Sequence, residues 1–210
     1  MVKDHTSMGK KNIALLQYLI TNEGPFSIRE LSRICSLNYK STYEIIAKLE
    51  KEGAIHVKKL ANSKLCSFSR KLTPCVYLAE KKRQQEACTK EIQLICNELS
   101  TLQTPIIALL FGSYASKTHS KHSDIDILLI SEKSEEIVGS ISWIPKIHVT
   151  SISYDECFSM LDSKSFNVMQ EAVKNNVILI GIEEYYRVLN AQNHTIPSRR
   201  SFKKDKESVR

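Results

Sequence analysis

Two short stretches of this 210-residue sequence carry residue types in an order suited to chemistry: Gly112-Ser113 and, after a short polar spacer, Asp124-Ile125-Asp126. Alternate residues of a strand share a face, so Asp124 and Asp126 are expected side by side, with Ile125 and Ile127 turned to a core. Two adjacent carboxylates repel unless a cation lies between them. Magnesium (or manganese), a hard ion that prefers oxygen ligands, suits such a pair. Gly112 has no Cβ to keep an anion from the backbone, and Ser113 is placed to open a helix whose unpaired amides, with its own hydroxyl, attract phosphate. Lys117, His119, Lys121 and His122 make the spacer partly cationic, and Lys117 is the residue taken to supplement the phosphate contacts. His119-x-x-His122 has a metal-ligand spacing, but no cysteine or third histidine joins it, so zinc is not expected.

The elements that must hold these groups are two apolar runs. Ile106–Phe111 reads as a buried strand running into Gly112, and Ile125–Ile130 as a second strand holding the acidic pair. Gly-Ser, a short spacer and two acidic residues around an apolar one resemble the nucleotidyltransferase motif of the DNA polymerase beta superfamily, nearest its minimal nucleotidyltransferases, over about residues 84–190. The resemblance implies an NTP as substrate and magnesium or manganese as cofactor. It implies Asp124 and Asp126 as catalytic residues and metal ligands, Gly112 and Ser113 as nucleotide-binding residues with Lys117 beside them, and a hydroxyl acceptor on a protein, an RNA or a small molecule. Members of the superfamily carry a third carboxylate on a later strand. The corresponding stretch here, Lys146–Ser153, has none, and places Lys146, His148 and Thr150 on one face. Asp155 and Glu156 follow, one of them standing in for the third carboxylate or, in the reading preferred, both belonging to a helix start capped by Asp155. Where arginines often follow Gly-Ser, this chain has Tyr114, Ser116 and Lys117. Two readings therefore stand: a nucleotidyltransferase, or a catalytically inactive nucleotidyltransferase-fold transcription regulator that senses a nucleotide or a partner.

The front of the chain has another character. Residues 1–73 hold 13 Lys and Arg against 6 Asp and Glu, residues 74–190 hold 11 against 15, and residues 191–210 hold 6 against 2. The basic share of the net charge of +7 thus sits at the two ends, which suits a polyanionic partner. Ile13, Leu16, Leu19 and Ile20 are spaced for a helix over Asn12–Thr21. Ser27-x-x-Glu30 is a capping box opening a second helix, and a third is expected from Tyr39 to about Glu52, closed by Gly53. Two alternating runs follow, Ala54–Leu60 and Leu65–Leu72. Three helices and a ribbon resemble a winged helix-turn-helix domain over roughly residues 10–73. The resemblance implies DNA contact by Tyr39, Lys40, Ser41 and Thr42 at the start of the third helix and by Lys58, Lys59 and Lys64 on the ribbon, where Arg70 also lies.

Between these parts residues 74–102 read as one linking helix. Cys88, Ile92, Ile95, Leu99 and Leu102 form a narrow apolar stripe, used either as a homodimer seam or, in the reading preferred, to pack on the following sheet. The expected fold class is α/β (α+β): an N-terminal winged helix-turn-helix over residues 1–73 plus a C-terminal small nucleotidyltransferase-fold mixed sheet with flanking helices over residues 103–190. A basic disordered tail is expected over residues 191–210. A hydrophobic content of 42% with 25% charged residues excludes wholesale disorder. No apolar run approaches a membrane span, and the first ten residues lack the apolar core of a leader, so no membrane partner and a cytoplasmic location are expected. The six cysteines contain no C-x-x-C pair and are expected as buried, reduced thiols.

Overall fold

A computed structural model of the chain describes residues 5–195 apart from Gln103 and Lys164. The front begins with α1 (His5–Thr21), a two-residue strand β1 (Phe26–Ser27), α2 (Ile28–Ile34), α3 (Tyr39–Lys51) and the hairpin β2 (Ile55–Leu60) and β3 (Ser63–Phe68). The expected capping box is in place: the Ser27 hydroxyl accepts from the Glu30 amide while the Glu30 carboxylate accepts from the Ser27 amide. β3 is shorter than the alternating run suggested, ending at Phe68, and lies between β1 and β2 in a three-stranded antiparallel sheet. Leu15, Leu16, Leu31, Leu49 and Ile55 are buried beneath it.

The linking segment departs from expectation. It is two helices, α4 (Pro74–Ala87) and α5 (Lys90–Ser100). Cys88 takes an extended conformation between them, and Thr89 starts α5 afresh by accepting from the Ile92 amide. Ile92, Ile95 and Leu99 of the stripe are buried against the chain's own sheet, as the preferred reading required.

The second half contains β4 (Ile107–Phe111), a one-turn helix α6 (Gly112–Ala115), β5 (Ile125–Ile130), α7 (Ser134–Ile141), β6 (Ile147–Ile152), α8 (Tyr154–Asp162), α9 (Val168–Lys174), β7 (Val177–Ile180) and α10 (Ile182–Thr195). The strands form one mixed sheet in the order β6-β5-β4-β7, with β4 antiparallel to both neighbours and β5 parallel to β6. Alternation divides its side chains cleanly. Ile125, Ile127 and Leu129 face α5 and α7, whereas Leu109, Leu128 and Ile130 join a core shared with α8, α9 and α10. That second core is continuous with the core of the front half. The part of the expected tail up to residue 195 is helix, and the remainder lies outside the described residues. All six cysteines are free, but of the six expected to be buried only Cys66 and Cys157 are; Cys35, Cys75 and Cys96 are half-buried and Cys88 is exposed. Among the described residues no helix is long and apolar enough to cross a membrane.

A buried polar network ties α4 to the second half. Glu80, 1% exposed, accepts from Arg83 at 2.6 Å and from the Tyr186 hydroxyl at 2.7 Å. Arg83 also donates to the Asn176 carbonyl, and the Asn176 amide donates to the Tyr185 hydroxyl at 2.8 Å. Burial pushes the Tyr185 phenol up to about 12 and raises that of Tyr186, so both act as neutral groups. Removing one partner leaves a buried charge uncompensated. Arg83→Met is therefore expected to cost about 3 kcal/mol in urea unfolding, with part of the loss recovered in Glu80→Gln/Arg83→Met.

Candidate functional site

β4 and β5 bring the two chemical stretches together. Their antiparallel register sets Phe111 opposite Asp126, so the residue after Phe111, Gly112, begins beside the acidic strand. Gly112 has φ +65°, and a Cβ built on it would lie 2.5 Å from the Asp126 Oδ2. Glycine is required here on both counts. The place expected for an approaching phosphate is thus partly taken by the Asp126 carboxylate itself. Asp124 immediately precedes β5 and is exposed, while the Asp126 side chain is 29% exposed. Neither carboxylate is paired with a Lys or Arg among the described residues.

The third position is filled by a different chemistry. Parallel pairing of β5 with β6 sets His148 beside Asp126, and the His148 Nδ1 lies 3.4 Å from the Asp126 Oδ1. At 68% exposed, the ring sits at the mouth of the site. Asp155 and Glu156 are not alternatives, because α8 starts beyond the opposite end of β6. The four residue steps from His148 to Ile152 alone span roughly 13 Å at a strand's rise per residue. Glu156 is also occupied, accepting from the Ser153 amide at 2.8 Å, and Ser153 rather than Asp155 is the N-cap of α8. That capping holds the Glu156 carboxyl below its ordinary range. Among the described residues no group of three or more His, Cys, Asp or Glu gathers to hold a metal. Asp124 and Asp126, unpaired with Lys or Arg among the described residues, would be the residues to hold one hard divalent cation.

The loop between the two stretches folds back on α6. α6 is a single turn that Gly112 rather than Ser113 opens, and the Ser113 carbonyl accepts from the Thr118 amide at 3.0 Å. Lys117 has φ +58° and its Nζ lies 3.4 Å from Glu86, so its charge is already shared with α4. The His119 ring stacks on Tyr114 with centroids 4.1 Å apart, and Lys146 donates to the Lys121 carbonyl. The Asn175 amide donates to the Ser116 hydroxyl at 2.7 Å. Asn175 and the Tyr114–His119 stack carried no mark in the sequence, since each depends on partners that only the fold brings near.

The front half gathers a second candidate surface. Tyr39 and Lys40 are exposed at the start of α3, and the Ser41 amide is capped by the Asn38 side chain. Thr42 does not join them. It is fully buried and its hydroxyl donates to the Asn38 carbonyl, which leaves it no donor for an outside phosphate. On the hairpin Lys58, Lys59 and Lys64 are exposed, and Lys59 faces Lys64 directly in register. Like charges in that relation cost stability in the free protein. Lys64 donates to the Tyr43 hydroxyl at 2.9 Å, joining the hairpin to α3. This bond raises its pKa, so the ammonium persists at neutral pH. Arg70 is not part of the ribbon: it follows the end of β3, with φ +59°, and turns toward the second half.

Residues 90–185 match the protein-family model described as Polymerase beta, Nucleotidyltransferase. No curated protein and no solved structure matches the chain. The matched span runs from the first residue of α5 into α10 and includes both carboxylates, and its mixed α/β arrangement is consistent with a nucleotidyltransferase fold. The front, from α1 to α4, lies outside it.

The contact between Gly112 and Asp126 is directly testable. Gly112→Ala is expected to lose roughly 1–3 kcal/mol in urea unfolding, from the positive φ and the crowded carboxylate together. In Gly112→Ala/Asp126→Ala the loss is expected to be less than additive, because the crowding is gone.

Proposed function

We propose that the chain is a metal-dependent nucleotidyltransferase that moves a nucleoside monophosphate from an NTP to a hydroxyl acceptor, and that its front half is a winged helix-turn-helix that binds DNA. The observation carrying the first part is Gly112 seated against the Asp126 carboxylate, with Asp124 two residues earlier and, among the described residues, no Lys or Arg neutralising either. A bound magnesium or manganese ion neutralises phosphate charge and lowers the pKa of an attacking hydroxyl.

Each residue then has a distinct task. Asp124, just ahead of β5, and Asp126, within it, would hold the metal beside the place for a triphosphate. Gly112 and Ser113 offer backbone amides and a hydroxyl to its oxygens, with Lys117 at the loop's edge. The acceptor oxygen bonds to the α-phosphorus, the bond to the β-phosphate bridging oxygen breaks, and pyrophosphate leaves as the hydroxyl proton passes to water. One observation favours the alternative, a catalytically inactive regulator that senses a nucleotide or partner: His148 stands where a third carboxylate would complete the metal site.

The proposed DNA surface consists of Tyr39, Lys40 and Ser41 with Lys58, Lys59 and Lys64. Repulsion between Lys59 and Lys64 is relieved by a phosphate backbone, which supports a polyanion as partner.

Two experiments test these readings. With α-phosphate-labelled NTPs, cell extract as acceptor source and magnesium or manganese, the wild type is expected to leave label on an acceptor, and Asp124→Ala/Asp126→Ala is expected to leave none. NTP binding without transfer would instead establish the regulator. For DNA, binding is expected to fall steeply with salt, and Lys59→Ala is expected to reduce the slope of log affinity against log salt by about 1. Binding indifferent to salt would count against the phosphate contacts.

A further inference from the structure

A cleft of about 650 Å³ opens where the end of α1 and β3 meet α4, α9 and α10. The volume suits a small-molecule site, and such sites favour the junction between two parts of a chain. Its floor includes the Glu80–Arg83–Tyr186–Tyr185–Asn176 network, whose named polar groups are partnered to one another. A satisfied network of this kind is rigid and presents no unspent charge.

The mouth is built differently. Arg70 and Lys174 line the cleft, both are exposed, and neither forms an ion pair among the described residues. Glu23 is the only acid on the described lining outside the Glu80–Arg83 pair. Arg70 is held at φ +59°, an unfavourable conformation for a side chain with a Cβ, in the segment joining β3 to α4. Phe166, 75% exposed, lines the same opening, and Phe68 packs edge-on to Tyr186 with centroids 6.3 Å apart. Unpaired cations recognise an anionic group, and exposed aromatic faces recognise a flat ring.

We propose that this cleft binds a small aromatic anion, an aryl or heteroaryl phosphate, sulfonate or carboxylate, at a site separate from Asp124 and Asp126. The anionic group pairs with Arg70 and Lys174, and the ring lies against Phe166 and Phe68. Because the lining comes from both halves of the chain, the occupant tightens the seam between them. This proposal does not rest on nucleotidyl transfer.

The probe for the test is 8-anilinonaphthalene-1-sulfonate, titrated into the full chain and followed by fluorescence. A saturable one-site rise is expected. Arg70→Glu and Lys174→Glu are each expected to weaken the affinity about tenfold, the loss of one charge-assisted contact. Lys133→Glu, at the start of α7, is expected to leave it unchanged. Phe166→Ala removes a largely exposed ring, so it tests the aromatic contact with little burden on folding, and is also expected to weaken binding. Circular dichroism and thermal unfolding confirm that each variant is folded. Phenyl phosphate is expected to displace the dye where inorganic phosphate at equal concentration does not. No saturable binding, binding indifferent to the Arg70, Lys174 and Phe166 variants, or equal displacement by inorganic phosphate would each overturn the proposal.

Discussion

The antiparallel register of β4 and β5 sets Phe111 opposite Asp126, and the candidate site hangs on that pairing. Sliding β5 by one residue would turn Asp126 into the core beside α5 and α7 and present Ile125 or Ile127 to the site. Buried side chains on both faces of the sheet prevent the slip: Ile125, Ile127 and Leu129 have one home and Leu128 and Ile130 another. The position of two carboxylates is thereby guaranteed by the burial of five apolar neighbours. The parallel pairing of β6 extends the same logic, since it fixes His148 next to Asp126 without any contact chosen for that purpose.

At the seam, polar contacts supply what apolar packing cannot. Packing alone would let α4 settle at several depths against β7 and α10. The Glu80 carboxylate accepts from both Arg83 and Tyr186, and Arg83 reaches the Asn176 carbonyl, so the helix has one position in which these buried groups are all partnered. The network is therefore better understood as a device for registry than as a source of net stability.

Much of this arrangement was legible in the residues, and the failures have physical causes. β4 and β5 were readable because apolar runs bounded by Gly or Asp have few alternatives. The Ser27 cap was readable from Ser-x-x-Glu, and the same signature at Ser153-x-x-Glu156 marks the true start of α8 two residues ahead of the point where Asp155 was expected to cap it. The break at Cys88 was hidden because the apolar stripe continues across it, and only the Thr89 cap betrays it. No side chain caps α7, which left that helix unannounced. Tyr186 and Glu80 are 106 residues apart, and no local pattern joins them. At the site, the facing of Asp126 could be read from strand alternation, whereas Asp124 falls just ahead of β5 and the pairing of His148 with Asp126 required the strand order.

α4 begins six residues after β3 ends and packs on α1 as well as on β7. The two halves therefore share a structural beam instead of a tether. Cutting the chain ahead of Pro74 would strip the cover from Leu15, Leu16 and Leu19 on one piece, and leave Phe68 and Tyr186 without each other. Neither fragment would be a tidy module, and genetic shuffling could not exchange one half without redesigning the helix both lean on. The angle between the α3 face and the two carboxylates is accordingly a fixed property of the molecule. Under the proposed function, a nucleic acid held at the α3 face would meet the carboxylates at a constant bearing.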